Sequence, residues 1–238
     1  MRIIFNIEVF FTPDDYQAEK FKNYTAVVID VFRATTSIAT AFHNGCSQVV
    51  PVETVEQAFE KREKLYPEAI LAGERKGLLI SGFHLGNSPL EYGNGTVGGK
   101  TIVMTTTNGT FALNKAAGAN KVVTAAFVNA MAVCSQLEKD EQDVVILCAG
   151  TDGRFSVEDA LCAGLIADRL SSHAYLTDKA LCVQAMYQGF SCNLVERVKQ
   201  TSHALYLNQL GFINDVKLCL EHDVISVVPT FKDGVLKV

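Results

Sequence analysis

The sequence predicts an α/β protein with layered α/β/α architecture and a mixed or mostly parallel sheet. Short runs rich in Val and Ile alternate with helix-like stretches along the chain, and this alternation is typical of sheets covered by helices. The composition is that of a globular protein, with 48% hydrophobic and 20% charged residues. We therefore expect residues 1–238 to form one compact unit with a substantial core.

The strand and helix patterns follow one another in order along the chain. Strands are predicted at 2–10, 25–30, 48–52, 69–72, 101–105, 121–126, 143–149 and 224–228. Helices are predicted at 36–44, 54–65, 109–117, 128–138, 157–171 and, in pieces broken at Gly211, 194–220. Residues 73–99 are rich in Gly and loop formers, and a long loop inside a compact domain is often functional.

A weak internal similarity suggests two duplicated strand-loop-helix halves, at about residues 25–72 and 98–140. A shift of 73 positions (118 − 45) aligns "RATTS" at 33–37 with "TTNGT" at 106–110. The alternative is that both halves share the rhythm of a βαβ unit without common ancestry. In either case the two polar loops occupy corresponding ends of their strands.

Charge and cysteine content exclude several classes of protein. The net charge of −5 predicts no basic surface for nucleic acid. No apolar run approaches the roughly 20 residues that span a bilayer, so no membrane partner is expected. The seven cysteines are scattered without a CxxC pair, which indicates neither a zinc site nor disulfides and favours buried thiols in a reducing cytoplasm.

Polar loops follow three of the predicted strands. In "IDVFRATTSIA" the strand ends at Asp30, Arg33 lies in the turn, and Thr35, Thr36 or Ser37 is predicted to cap the next helix. The loop "TTTNGT" at 105–110 and the loop after Gly150 follow other strands. Such loops meet at the carboxyl ends of parallel strands. Backbone N–H groups at helix starts, hydroxyls and a guanidinium can together bind a phosphate, although Thr and Asn could also merely cap the helices.

Carboxylates stand next to these loops. Asp30, Glu74 and Asp159 each lie near a strand end or helix start, where carboxylates commonly hold Mg²⁺ beside a substrate phosphate. Asp159 could instead complete a capping box with Ser156, and Glu74 could pair with a neighbouring cation. Asp30 is the hardest to dismiss, because a charge directly after a buried strand needs a partner.

A cysteine and a histidine are weaker candidates. Cys148 through Arg154 matches the C-x5-R pattern of cysteine phosphatases, but a core thiol at a strand end is the better interpretation. Of the five histidines, His84 is expected to be the one nearest the proposed site, and a surface loop histidine is its alternative.

Five motifs together resemble the 2-phosphosulfolactate phosphatase family. They are, in order, "VIDVFRATTSI", "GERKG", "GFHLGNSP", "TTTNGT" and "AGTDGRFSVEDALCAG". The resemblance implies a Mg²⁺-dependent phosphatase that converts 2-phospho-3-sulfolactate to sulfolactate and phosphate, a step in coenzyme M biosynthesis. The family usually has Asp where this chain has His84.

The resemblance and the loop chemistry lead to one set of site predictions. The positions that match the family motifs are Asp30, Arg33, Thr35, Glu74, Asn87, Ser88, Thr106, Asn108, Gly109, Thr110, Gly150 and Asp159. We expect Asp30, Arg33 and Asp159 to act in catalysis, and Asp30, Glu74 and Asp159 to bind Mg²⁺. Substrate binding is assigned to Arg33, Thr35, Asn87, Ser88, Thr106, Thr107, Asn108, Gly109, Thr110 and Gly150.

Several alternatives stay open from the sequence. The attacking group is either a metal-bound water or Asp30 itself. A non-catalytic binding protein for small phosphorylated or sulfonated acids would use the same loops without turnover. The expected partner is a small anionic phosphorylated molecule, and homo-oligomer formation is left open.

Overall fold

A computed structural model describes residues 4–238 and contains a sheet of 11 strands. The strands are β1 (Phe5–Phe10), β2 (Thr25–Ile29), β3 (Gln48–Pro51), β4 (Ile70–Arg75), β5 (Leu78–Leu79), β6 (Thr101–Thr105), β7 (Lys121–Ala125), β8 (Val144–Cys148), β9 (Ala174–Leu176), β10 (Thr230–Lys232) and β11 (Val235–Lys237). The helices are α1 (Ala34–His43), α2 (Val55–Leu65), α3 (Asn94–Val97), α4 (Gly109–Ala116), α5 (Ala130–Asp140), α6 (Val157–Leu170), α7 (Asp178–Phe190), α8 (Leu194–Val198), α9 (Ser202–Gln209) and α10 (Ile213–Cys219).

The sheet consists of two parallel groups of strands joined by a hairpin. The strand order is β5-β4-β6-β3-β11-β10-β7-β2-β8-β1-β9. Strands β4, β6 and β3 are parallel to one another, as are β7, β2, β8, β1 and β9. The hairpin of β10 and β11 lies between the groups and is antiparallel to both neighbours. The mostly parallel sheet confirms the predicted fold class.

The two segments proposed as duplicated halves pair crosswise in the sheet. Each segment begins with a strand, a helix and a second strand, followed by another helix: β2-α1-β3-α2 in residues 25–72 and β6-α4-β7-α5 in residues 98–140. The first strand of each segment pairs with the second strand of the other, β2 with β7 and β6 with β3. The loops after β2 and β6 therefore occupy corresponding positions in the two segments. Common ancestry of the halves stays a prediction.

Helices pack against both faces of the sheet. One core cluster joins α1 and α4 to both groups, for example through Ile38, Leu113, Val28 and Ile102. Side chains alternate between the faces of a strand, so Val27 of β2 packs on the opposite side with α5, α6 and α7. Helix α2 covers the outer face of β3, β6 and β4. Helices α1 and α4 therefore pack against strands of both groups, and α1 is almost entirely buried.

Most of the predicted elements are confirmed, and one strand prediction was wrong. Residues 224–228 form no strand, because their backbone bonds to other partners: Ile225 N–H donates to Val128 O, and Val227 O accepts from the Asn129 side chain. The C-terminal helix pieces α8, α9 and α10 are confirmed, with Gly211 at φ +90° between the last two. Residues 1–3, at the start of the first predicted strand, lie outside the described residues.

Several regions of regular structure were not predicted, among them β5 and α3 within the segment 73–99. Helix α7 packs against α6 in the main core cluster, and β9 adds an edge strand beside β1. The β10–β11 hairpin completes the sheet. Within residues 4–238 there is no helix with the length and apolar character needed to cross a membrane.

Candidate active site

A cleft of about 760 Å³ lies where the loops after β2, β4, β6 and β8 meet. Its lining includes Asp30, Arg33, Glu74, Glu158 and His203. Asp30 and Arg33 lie in the loop after β2, Glu74 lies near the end of β4, and Glu158 lies in the first turn of α6, as expected for residues near the carboxyl ends of parallel strands. His203 belongs to α9, in the C-terminal helical region. Helix α9 therefore forms one side of the cleft.

The starts of α1 and α4 touch beside Asp30. A Cβ placed on Gly109 would lie 2.6 Å from Ala34 Cβ and 2.7 Å from Asp30 Oδ2. Only a residue without a side chain allows these two helix starts to approach so closely. The positive ends of two helix dipoles therefore point toward the Asp30 carboxylate and toward any anion bound next to it.

Asp30 is buried, with 6% of its surface exposed. Its Oδ1 accepts a long hydrogen bond of 3.4 Å from Ala34 N–H, whereas Oδ2 has no donor within residues 4–238. Burial raises the pKa of Asp30 to about 7, with His203 opposing the rise and Glu74 and Glu158 adding to it. The carboxyl group therefore exchanges its proton near neutral pH and has one oxygen free for a ligand.

Asp159 connects the loop after β2 with the loop after β8. Its Oδ1 accepts from Val31 N–H at 2.8 Å and its Oδ2 from Gly150 N–H at 3.1 Å. Burial, the Asp30 charge and the Glu158 charge raise the pKa of Asp159 well above its usual range. Ser156 Oγ accepts from Asp159 N–H, so one half of the predicted capping box is present. The Asp159 carboxylate, however, bonds across loops.

Glu74 connects the loop after β6 with the turn after β4. Its Oε1 accepts from Thr107 N–H and its Oε2 from Gly77 N–H, both at 2.8 Å. Arg75 donates to the backbone oxygen of Glu74 and so does not take the carboxylate. The structure thus favours a site role or a loop-bracing role for Glu74 over a solvated ion pair.

Arg33 is held from three directions. Its Nη1 donates to Asp215 Oδ2 and its Nη2 to Gly77 O, each at 2.7 Å. The guanidinium also stacks on the Phe212 ring, 4.1 Å from its centroid. The peptide bond between Phe32 and Arg33 is cis. Arg33 lines the cleft, but protein acceptors already occupy two of its nitrogens.

Four of the hydroxyl side chains assigned to substrate binding bond to other parts of the protein. Thr35 Oγ1 bonds to the backbone N and O of Asp30, and the Thr106 and Thr110 side chains brace each other's backbone. Ser88 Oγ donates to Asp215 Oδ1 at 2.9 Å. These four side chains therefore stabilise the loops. Their assignment to substrate binding stays a prediction. The prediction that Thr35, Thr36 or Ser37 caps α1 was wrong, because the N-cap is Arg33 and no side chain caps the helix.

Besides Arg33, three residues of the predicted substrate-binding set line the cleft, namely Asn87, Thr107 and Asn108. Asn87 is buried, and its Oδ1 has no hydrogen-bond partner in the described part of the chain. Asn108 Oδ1 accepts from Asp152 N–H at 3.2 Å. Gly150 is required for the backbone conformation of its loop. Its φ of +69° is in the left-handed region, and a Cβ there would lie 2.5 Å from Arg154 O.

The most important group that the sequence did not reveal is a histidine–carboxylate pair. His203 Nδ1 lies 2.7 Å from Glu158 Oε1 and 3.2 Å from Thr151 Oγ1. Burial works against the protonated form of His203, but the hydrogen bond and charge of Glu158 outweigh it and raise the pKa. The only signal for this pair is that Glu158 opens a helix after a polar loop.

His84 and Cys148 do not have the positions that an active role would require. His84 is not among the residues that line the cleft, and its Nδ1 accepts from Leu71 N–H at 2.9 Å. The expectation that His84 is the histidine nearest the site was therefore wrong. Cys148 is buried, and burial raises the pKa of its thiol well above the usual range. The core-thiol interpretation is confirmed.

The geometry leaves the predicted Mg²⁺ site as a prediction. Within residues 4–238, no group of three or more His, Cys, Asp or Glu side chains is arranged to hold a metal ion. Asp30 and Glu74 line the cleft, whereas Asp159 does not line it and braces the loops beside Asp30. Glu74 and Asp159 have backbone donors on both oxygens. Each oxygen still has a second lone pair available to a cation.

The cleft joins a free buried carboxylate oxygen, two helix starts and a histidine–carboxylate pair. A cleft of this kind, beyond the carboxyl ends of parallel strands, is typical of the active sites of α/β enzymes.

The chain belongs to the 2-phosphosulpholactate phosphatase family, whose model matches residues 10–234. A probable 2-phosphosulfolactate phosphatase of Clostridium tetani is 41% identical over 234 residues, covering 98% of this chain and 100% of the relative. Proteins with the same description from Clostridium acetobutylicum and Thermotoga maritima are 42% and 44% identical, covering 96% and 89% of this chain and 98% and 90% of the relatives. The predicted class of phosphoric monoester hydrolase is confirmed.

Proposed function

We propose that this chain hydrolyses 2-phospho-3-sulfolactate to 3-sulfolactate and phosphate, with Mg²⁺ as its cofactor. Membership of the family and the names of the relatives support this substrate. The observation that carries the proposal is the position of Asp30, a buried carboxylate with a free oxygen where the starts of α1 and α4 meet. A place in coenzyme M biosynthesis, implied by the resemblance, stays a prediction.

The donor set at the cleft fits a hard divalent cation. The charges of Glu74 and Glu158 act on Asp30, so negative charge is concentrated in this buried region. An anionic substrate would be repelled there unless a cation neutralised part of that charge. Carboxylate and amide oxygens are the ligands that Mg²⁺ prefers. Asp30 would hold the ion through Oδ2, with Glu74 and Asp159 contributing through their remaining lone pairs or through water. When bound, the ion would neutralise charge on the phosphoryl oxygens.

The remaining cleft residues account for binding a small polyanion. Backbone N–H groups at the start of α4, next to Thr107 and Asn108, can donate to phosphoryl oxygens. Lys76 and Arg154 are exposed cations on the cleft lining. Because the proposed substrate carries carboxylate, sulfonate and phosphate groups, such cations favour its entry and raise the rate of association. Arg33, fixed by Asp215, adds a buried positive charge at the cleft wall.

A turnover experiment separates this proposal from a non-catalytic binding protein. Substrate in large excess over protein should yield many equivalents of phosphate in the presence of Mg²⁺. A binding protein would instead show saturable binding of the same compound by calorimetry, with no phosphate released beyond the amount of protein. Saturable binding without release would contradict the proposed function.

A further inference from the structure

The His203–Glu158 pair lies at the cleft wall with one ring nitrogen uncommitted. The side chains are largely buried, with 18% and 2% of their surfaces exposed. The imidazole ring packs edge-on against Phe32, two residues after Asp30 in the chain, with ring centroids 5.7 Å apart. Nδ1 faces Glu158 and Thr151, while Nε2 has no hydrogen-bond partner within residues 4–238. The pair therefore presents Nε2 as its available group.

Hydrolysis of an alkyl phosphate ester requires help for the leaving group. The alkoxide released from a 2-phospho acid is strongly basic, so it leaves easily only when its oxygen is neutralised as the bond breaks. A histidine whose other nitrogen is fixed by a carboxylate is a common proton donor for such a step. Lys76 and Arg154 also line the cleft, but both side chains are exposed, so packing does not fix either of them against the substrate.

We propose that His203 is the general acid that protonates the ester oxygen of the leaving group, and that Glu158 positions its imidazole. This inference rests on the proposed function. The attacking oxygen forms a bond to phosphorus while the bond from phosphorus to the ester oxygen breaks. The bonding electron pair stays on the ester oxygen, which takes the Nε2 proton and leaves neutral imidazole. Solvent then returns a proton to Nε2, and the proton lost by an attacking water goes to solvent.

The charges around the ring favour the protonated form of His203. The charges that act on it are Glu158 of α6, Asp30 after β2 and Arg33 at the start of α1. Two of these are carboxylates that favour the imidazolium form, and Arg33 opposes it. The same proton is needed whether water or Asp30 attacks the phosphorus, so the assignment does not depend on the nucleophile.

The test compares leaving groups in the variant His203→Gln. Gln can donate a hydrogen bond near the position of Nε2 but cannot transfer a proton. We expect kcat/KM for the alkyl ester 2-phospho-3-sulfolactate to fall by about 100-fold or more. For p-nitrophenyl phosphate we expect a loss of no more than about threefold, because p-nitrophenolate leaves without a proton. Equal losses with both esters would overturn the proposal.

A matched control and a rescue experiment complete the design. His173 pairs with Glu138 at 3.5 Å on the surface, so His173→Gln should leave both rates unchanged. Imidazole added to His203→Ala should restore turnover of the alkyl ester, whereas a packing role would give no rescue. If wild type turns over only the alkyl ester, absence of rescue alone overturns the assignment. A wild type that hydrolyses neither ester would instead contradict the proposed function.

Glu158→Gln tests the positioning role separately. The amide keeps a hydrogen bond to Nδ1 but removes the charge, so the imidazolium is less stabilised. We expect the ratio of alkyl to aryl turnover to fall in the same direction as in His203→Gln, but by a smaller factor. An unchanged ratio would remove Glu158 from the proposal.

Discussion

Arg33 Nη1 donates to Asp215 Oδ2 at 2.7 Å, and both side chains are almost fully buried. The two residues are 182 positions apart in the chain. Asp215 also accepts from Ser88 Oγ, so one carboxylate of α10 fixes two residues that were assigned to the substrate. Helix α10 therefore orients the buried arginine of the cleft, although α10 does not directly follow a strand of the sheet.

Removal of Asp215 should destabilise the protein strongly. Asp215→Ala leaves the Arg33 charge buried with only Gly77 O and Phe212 as partners, and breaking a buried pair in this way costs about 3–5 kcal/mol. The free energy of unfolding from urea titration measures the effect. The control is Glu60→Ala, which breaks an exposed pair with Lys64 and should leave the midpoint unchanged. Equal midpoints for the two variants would show that the buried pair has no structural importance.

Gly109→Ala should damage the site by crowding. The new Cβ would meet Asp30 Oδ2 and Ala34 Cβ, neither of which can move without shifting a helix start. Such overpacking costs about 1–3 kcal/mol, and we expect a lower Tm together with reduced turnover. Gly189→Ala in α7 is the control, because a Cβ there meets no atom within 4 Å. A Gly109→Ala enzyme with normal Tm and turnover would refute the close contact.

Asp30 should make the metal-free protein less stable as the pH rises. Its pKa is about 7 when folded and about 4 when unfolded, so the folded state binds more protons between these values. Stability is therefore lost from pH 4 to pH 7. Asp30→Asn lacks this titration, and its stability relative to wild type should rise over that window by up to about 4 kcal/mol.

Thermal unfolding in EDTA across the same pH range measures this difference between Asp30→Asn and wild type. A difference that does not change with pH would mean that the Asp30 carboxyl titrates normally. Added Mg²⁺ at pH 8 should raise the Tm of wild type more than that of Asp30→Asn, since only the wild type has the charge that the ion would neutralise.

Cys148 should be unreactive in the folded protein. Its thiol is buried and its pKa is raised by burial, so little thiolate is available for alkylation. The exposed thiols Cys182 and Cys192 are first changed to Ser, so that iodoacetamide can reach only buried cysteines. We expect this double variant to keep its activity during treatment. Inactivation that is prevented by a further Cys148→Ser change would revive the cysteine-phosphatase alternative.

Local patterns predicted part of the site. Asp30 follows Val27, Val28 and Ile29, and a charge at the end of a buried strand could be recognised from the sequence alone. The partner of Arg33 could not, because Asp215 lies on a distant helix and a chain pattern carries no information on such a contact. The same holds for His203 and Glu158, which are 45 positions apart.

The hairpin of β10 and β11 has a local sequence signal, but its place in the sheet does not. Asp233 and Gly234 both have positive φ, at +52° and +80°, and Asp-Gly between apolar residues is a strong hairpin signal. The hairpin was therefore predictable. Its insertion between β7 and β3 was not, because strand neighbours in a sheet depend on long-range packing.

Phosphate release from 2-phospho-3-sulfolactate by EDTA-treated protein, before and after addition of Mg²⁺, tests the central claim most directly. Wild type should release phosphate over many turnovers only after Mg²⁺ is added. Asp30→Asn should be folded but at least about 100-fold slower under the same conditions, since it loses the charge at the reacting centre. Release that survives EDTA, or an Asp30→Asn variant as active as wild type, would contradict a Mg²⁺-dependent site at Asp30.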